Sequence, residues 1–249
     1  MAARRTFVVA AAQLRVLGSM AENAAAVVRM IGRAARRGAG FLVTPEMLLT
    51  GYHGRFDQRE RDRIIAGVIA PACARYRMTL ILGAGRFRGR GKPFIHTEVI
   101  GPDGTIVGGY SKTVPTGGDL TWCRAGRLAD QRVFNVAGLK FGITICNDFW
   151  CTPGYTTLPD PQLVRRLARQ GAQVVFHLIN SGFDPVYRDF HTSRMEERAM
   201  LAGVWVVSAN AAHRRRAVNA PTGILGPDGR WRATAPGIGD RLVVGRIGR

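Results

Sequence analysis

A chain of 249 residues, 46% hydrophobic and 21% charged, is long enough to bury a large core and too apolar to remain disordered. No apolar run approaches the roughly 20 residues of a membrane helix, so no membrane partner is expected. The formal charge of +19 raises nucleic acid as a partner, but the basic residues are spread along the chain, the densest cluster is Arg214, Arg215 and Arg216, and no recognition motif accompanies it; no nucleic-acid partner is expected.

Residues 1–12 place Arg4 and Arg5 ahead of a short apolar stretch that continues into Gln13, Leu14 and Arg15. This reads as a first buried strand over 6–14 and not as a signal peptide. An amphipathic helix follows over 20–37 and stops at Gly38; a second strand over 41–44 leads into Pro45-Glu46. The pattern predicts a helix over 59–76, with Pro71 as a break or kink, and a third strand over 79–87. One hairpin turns at Pro102-Asp103-Gly104 between 95–101 and 105–111, a second at Ala137-Gly138 between 132–136 and 140–146. Residues 160–170 read as a helix stopped by Gly171, 173–179 as a buried strand, 190–202 as a helix and 204–209 as a buried strand. A third hairpin turns at Pro227-Asp228-Gly229, and 241–247 form the last strand. Residues 99–107 and 224–232 share Gly-Pro-Asp-Gly, which reads either as one good turn used twice or as a trace of two βα-rich halves. No linker or low-complexity segment divides the chain, so one α/β domain over residues 1–249 is expected.

The four cysteines, Cys73, Cys123, Cys146 and Cys151, have a spacing that fits neither a disulfide framework nor a zinc set, and a reducing cytoplasm is the expected location. The five histidines, His53, His96, His177, His191 and His213, show no metal spacing; no metal and no cofactor are expected. Of 36 basic residues only Lys92, Lys112 and Lys140 are lysines, which makes them worth inspecting for chemistry that needs a compact ammonium and by itself assigns none.

Cys146 ends the strand-like run Lys-Phe-Gly-Ile-Thr-Ile-Cys, where an α/β fold exposes its sites; taken alone, such a cysteine more often reads as buried and structural. Glu46 stands just past a buried strand, where poor solvation would raise its pKa toward that of a general base; it reads also as a solvated loop or helix-start charge. Lys112 ends the return strand of the first hairpin and is either a charge for a developing oxyanion or a surface lysine.

Taken in order, these residues resemble the nitrilase superfamily of carbon–nitrogen hydrolases over nearly the whole chain. The resemblance is carried by Thr44-Pro45-Glu46 with Gly51-Tyr52 after it, by Tyr110-Ser111-Lys112, and by Gly142-Ile-Thr-Ile-Cys146-Asn147-Asp148. It continues through the arginine-bearing segment 163–175, then Arg198-Ala199 leading to Ser208-Ala209-Asn210, and the final Pro-Asp-Gly hairpin. It implies a four-layer α-β-β-α sandwich of the nitrilase type, one carbon–nitrogen hydrolase domain, a homodimer or larger assembly, and a small-molecule amide, carbamoyl amine or nitrile as substrate. It implies Cys146 as nucleophile, Glu46 as general base and Lys112 as stabiliser of the reacting oxygen, with the Asn147 backbone N–H beside it. The family's second acid falls on Asp119, seven residues before Gly126, as Asp in place of the usual Glu. Tyr52, Trp150 and Asn180, in loops after strands, are candidates for the pocket wall together with Asn147; Trp150 reads equally as core or interface. The sequence departs from the family where Lys112-Thr-Val-Pro replaces Lys-x-His-Leu and where Phe149-Trp150-Cys151-Thr152-Pro153 follows the Cys-x-Asp. Acyl transfer or ammonia supply on the same scaffold, and a non-catalytic family member, are the alternatives.

Overall fold

In chain order the strands are β1 (Thr6–Gln13), β2 (Phe41–Val43), β3 (Thr79–Arg86), β4 (Phe94–Ile100), β5 (Ile106–Ser111), β6 (Phe134–Val136), β7 (Leu139–Ile145), β8 (Val174–Ile179), β9 (Trp205–Asn210), β10 (Gly223–Leu225), β11 (Trp231–Thr234) and β12 (Arg241–Gly248). They come from a computed structural model that describes residues 5–156 and 159–248, so the first four residues of the expected N-terminal stretch lie outside it. The helices are α1 (Met20–Ala35), α2 (Gln58–Ile64), α3 (Ala70–Tyr76), α4 (Gly117–Leu120), α5 (Asn147–Trp150), α6 (Leu163–Arg169) and α7 (Val186–Ala202).

Two six-stranded mixed sheets, ordered β12-β1-β2-β3-β4-β5 and β11-β10-β9-β8-β7-β6, pack face to face with helices on both outer faces. The alternation of side chains along each strand builds this sandwich. In β1, Val9 and Ala11 face the other sheet, while Ala10 and Ala12 face the helices. Phe41, Phe141 and Phe176 meet in the layer between the sheets, with Phe141 and Phe176 edge to face at 5.2 Å. A second apolar layer lies between the first sheet and α1–α3, and a third between the second sheet and α5–α7.

The two sheets repeat one topology. In the first, β1, β2 and β3 are parallel neighbours and the β4–β5 hairpin closes antiparallel onto β3. In the second, β7, β8 and β9 are parallel and β10–β11 closes onto β9 in the same way. Both hairpins turn on Gly-Pro-Asp-Gly, and the pairing shifts register at Val99/Ile100 in one and at Ile224/Leu225 in the other. The likeness of residues 99–107 to 224–232 therefore marks equivalent positions in two like halves.

Some expectations shift. The helix expected over 59–76 is α2 and α3 joined by a π-helical stretch, Ile65–Ile69. Pro71 donates no N–H, and its ring would press on the carbonyl of Gly67; the wider π turn just before it accommodates both. The helix expected from residue 160 begins at Leu163, because Asp160 turns its carboxylate to Arg198 and Cys151. The helix expected from residue 190 begins at Val186, where the Asp184 carboxylate accepts the Val186 N–H at 3.0 Å.

Candidate active site

The strand ends at one edge of the sandwich carry the residues of interest. β2 leads through Thr44-Pro45 to Glu46, whose N–H donates to the Ile179 carbonyl at 3.2 Å and so ties the first sheet to the second. The Pro45 carbonyl approaches β3 so closely that a Cβ on Gly83 would lie 1.9 Å from it. Only glycine permits that approach. β5 runs in the same direction as β2 and delivers Lys112, fixed by its N–H on the Ile95 carbonyl at 2.9 Å.

Lys112 is 1% exposed, and its Nζ donates to Glu46 Oε1 at 2.9 Å and to Asp119 Oδ2 at 2.8 Å. Asp119 is the third residue of α4, not a loop residue. Thr116 and Asp119 form a capping box, in which Asp119 Oδ2 also accepts the Thr116 N–H at 2.9 Å. This short helix carries the backbone to the cluster, so the side chain of Asp reaches Lys112 without the extra methylene of Glu. Asp119 Oδ1 accepts the Tyr52 hydroxyl at 2.6 Å, while one side of Tyr52 remains exposed.

Cys146 follows β7 at φ 46° and ψ −109°, a conformation that side chains with a Cβ rarely adopt. The strained turn into α5 leaves Cys146 as a half-buried residue at the strand edge, with its thiol turned into the buried cluster. As the first residue of α5, Asn147 has an N–H with no acceptor inside the helix. Its side chain is already committed: Nδ2 donates to the Val114 carbonyl at 3.2 Å and to Thr156 Oγ1 at 2.8 Å, and Oδ1 accepts the Thr152 N–H at 2.9 Å. Asn180, just past β8, directs its backbone N–H at Cys146.

The electrostatics follow from burial. Desolvation raises the Glu46 carboxyl to about 7, against the lowering pull of Lys112. The Cys146 thiol lies close enough to hold that value down, and Glu46 Oε2 is buried and takes no hydrogen bond from a described residue. Burial, then the Glu46 charge, pushes the Cys146 thiol well above its usual value, so it rests protonated. Burial acts to lower the Lys112 ammonium but is outweighed by Glu46 and its other neighbours, which keep it charged. Burial would raise the Asp119 carboxyl; Lys112 outweighs it and holds the group ionised.

The structure thus brings Glu46, Lys112, Asp119, Cys146 and the Tyr52 hydroxyl together, with Asn147 and Asn180 present through their backbone N–H groups. Trp150 lies elsewhere. It ends α5, is 2% exposed, and stacks on His191 at 4.0 Å in the layer beneath α7. Its expected place in a loop is corrected: a helix of four residues leaves no periodic pattern to read.

The sequence motifs included Asp148 without revealing what it does. It is fully buried and accepts four hydrogen bonds: Oδ1 from the Thr113 and Val114 N–H groups at 2.9 and 2.7 Å, Oδ2 from the Tyr110 hydroxyl at 2.9 Å and the Ile145 N–H at 3.0 Å. The segment that departs from the family pattern after Lys112 is therefore held to the Cys146 turn through its backbone. The available signal was an acidic residue two positions after Cys146, directly following an apolar strand-like run.

Among the described residues, no three His, Cys, Asp or Glu side chains converge as metal ligands, and no helix is long and apolar enough to cross a membrane.

Residues 8–247 match the family described as carbon-nitrogen hydrolase. No curated protein matches the chain. Among solved structures, a mutant amidase from Nesterenkonia sp. AN1, showing covalent addition of the acetamide moiety of fluoroacetamide at its active site cysteine, superposes with a TM-score of 0.83 at 18% identity, over 97% of this chain and 90% of that one. A second mutant of the Nesterenkonia AN1 amidase, from the nitrilase superfamily, gives 0.83 at 19% identity over the same shares. A third, in complex with butyramide, gives 0.82 at 18% identity, again over 97% and 90%. At these identities the likeness is one of fold.

Proposed function

The chain belongs to the carbon–nitrogen hydrolase family of the nitrilase superfamily, and from that premise we propose that it hydrolyses a small amide or carbamoyl amine through a thioester on Cys146. The reading has residues 1–249 working as one domain on a small-molecule substrate, as a homodimer or larger assembly, in the cytoplasm; the four cysteines are free thiols, which agrees with a reducing compartment. The observation that carries it is the Lys112 ammonium bridging Glu46 and Asp119 with the Cys146 thiol beside Glu46.

The chemistry follows from the proton positions. The thiol is protonated at rest, so Glu46 must accept its proton as sulfur attacks the carbonyl carbon. With a pKa of about 7, Glu46 is basic enough to accept that proton and acidic enough to return it. Lys112 has spent two N–H donors on carboxylates and keeps one; with the Asn147 N–H it receives the oxygen that becomes negative. Collapse of the tetrahedral intermediate breaks the carbon–nitrogen bond, and protonated Glu46 supplies the proton to the departing nitrogen. The thioester remains. Glu46 then takes a proton from water, whose oxygen attacks the thioester carbon, and the carboxylic acid leaves as Cys146 regains its proton. Asp119 keeps Lys112 charged and aimed, and Tyr52 fixes Asp119.

A panel of small amides, carbamoyl amines and nitriles, read by released ammonia or amine and by the mass of the protein, tests this. An acyl adduct on Cys146 with turnover is expected, and Cys146→Ala abolishes both. Turnover in Cys146→Ala defeats the reading; product that appears only with an added amine acceptor moves it to acyl transfer.

A further inference from the structure

Tyr52 separates two environments. Its hydroxyl bonds to Asp119 in the charged cluster; its ring stands edge-on to Trp122 at 5.3 Å and forms part of the wall of an open cleft of about 930 Å³. Trp122 and Phe87 supply further aromatic wall, and His53, Arg55 and Lys92 supply polar and cationic groups; among the described residues no acidic side chain lines the cleft. Lys92 donates to the carbonyl of Leu120, the last residue of α4, at 2.7 Å, and keeps two N–H donors. The cleft and the catalytic cluster therefore share Tyr52, and Lys92 of the cleft wall is tied to the short helix that carries Asp119. The Arg55 guanidinium has no ion pair or side-chain hydrogen bond among the described residues.

Within the cluster the charge balance is the reverse. Glu46 and Asp119 face one Lys112, so the site is net negative whenever Glu46 is ionised. A substrate carboxylate placed beside Cys146 would be repelled there, whereas one placed past Tyr52 meets only cationic and aromatic groups. We propose that this cleft receives the negative end of the substrate, so that the compound hydrolysed is an anionic amide carrying a carboxylate remote from the scissile carbon–nitrogen bond. The apolar rings accommodate the connecting chain, and Arg55 and Lys92 pair with the carboxylate. This rests on the hydrolase reading above and names its substrate class.

The test compares half-amides of linear dicarboxylic acids of increasing chain length with neutral alkylamides of the same lengths. The wild-type protein is expected to favour the anionic series in kcat/KM, with an optimum length. Arg55→Glu should lower the anionic-to-neutral ratio about tenfold or more, since it turns attraction into repulsion. Arg214→Glu makes the same change in net charge at the Arg15–Arg214–Arg215 cleft and should leave the ratio in place. A wild-type preference for neutral amides, or an equal fall with both substitutions, overturns the proposal. If no amide acylates Cys146, the hydrolase reading is what has failed, and the cleft is then judged by calorimetric binding of glutarate to Cys146→Ala protein. Binding that Arg55→Glu weakens about tenfold upholds a carboxylate site; no binding, or binding indifferent to that substitution, rejects it.

Discussion

Tyr110 on β5 of the first sheet and Asp148 in α5, just past β7 of the second, share a hydrogen bond of 2.9 Å between hydroxyl and carboxylate. Through it the strand that delivers Lys112 is held against the turn that presents Cys146. Asp148→Asn turns an amide N–H₂ toward donors that now find an acceptor. Each buried donor left unpaired costs roughly 1–3 kcal/mol. The expected result is a drop in stability of that order, seen as a lower denaturation midpoint with unchanged m-value, and a fall in kcat larger than any rise in KM.

The raised Glu46 pKa makes stability and activity respond oppositely to pH. Its folded value of about 7 exceeds the ordinary glutamate value of 4.5, so the folded chain keeps a proton that the unfolded chain releases between those values. Stability contributed by this group is present below pH 4.5 and is lost as pH rises toward 7. The size is about 3 kcal/mol. Glu46→Gln should remove that slope from unfolding curves measured across the window and abolish turnover. In the wild type, kcat/KM should climb through an apparent pKa near 7 as Glu46 becomes a base.

Tyr52→Phe and Asp119→Asn separate aiming from charge. Tyr52→Phe removes one hydrogen bond to a carboxylate, a loss of roughly 1.5–3 kcal/mol where it acts fully, and should lower kcat by about ten- to a hundredfold with the protein folded. Asp119→Asn removes a carboxylate from a buried lysine, which typically costs about 3–5 kcal/mol, and should reduce stability and rate together. Equal rates for wild type and Tyr52→Phe would show that the hydroxyl does not help place Asp119.

Gly83→Ala puts a methyl group where the Pro45 carbonyl stands, 1.9 Å away. The chain must shift at the residue preceding Glu46. Overpacking of this kind costs roughly 1–3 kcal/mol, and activity should fall further than that loss of stability explains. Steady-state rates compared at a temperature where the variant is still folded by circular dichroism would show it.

The strands and hairpins were legible because their signals are local. Pro102-Asp103-Gly104, Ala137-Gly138 and Pro227-Asp228-Gly229 each turn the chain where expected, between alternating apolar runs. The short helices were not read, since α4 and α5 span four residues each and leave no period. For α4 a signal was present in Thr116 and Asp119, whose spacing fits a capping box, but the two glycines between them are poor helix formers that obscure it. Glu46, Lys112 and Cys146 could be picked out as strand-end residues, and Asp119 through family likeness. Their convergence depends on strands from two sheets ending at one edge, which no local pattern encodes. The backbone role of Asn180 and the commitment of the Asn147 side chain to neighbouring loops are likewise consequences of tertiary placement.

Glu46 and Cys146, the proposed proton acceptor and donor, follow strands of different sheets, joined at this edge by the Glu46 N–H on the Ile179 carbonyl. A slip of one sheet across the other by a fraction of a bond length would part them while every strand pairing survived. On the proposed chemistry, the approach of Glu46 to Cys146 depends on the aromatic packing of Phe41, Phe141 and Phe176 between the sheets. Loosening that layer would silence the chemistry before the chain lost its shape.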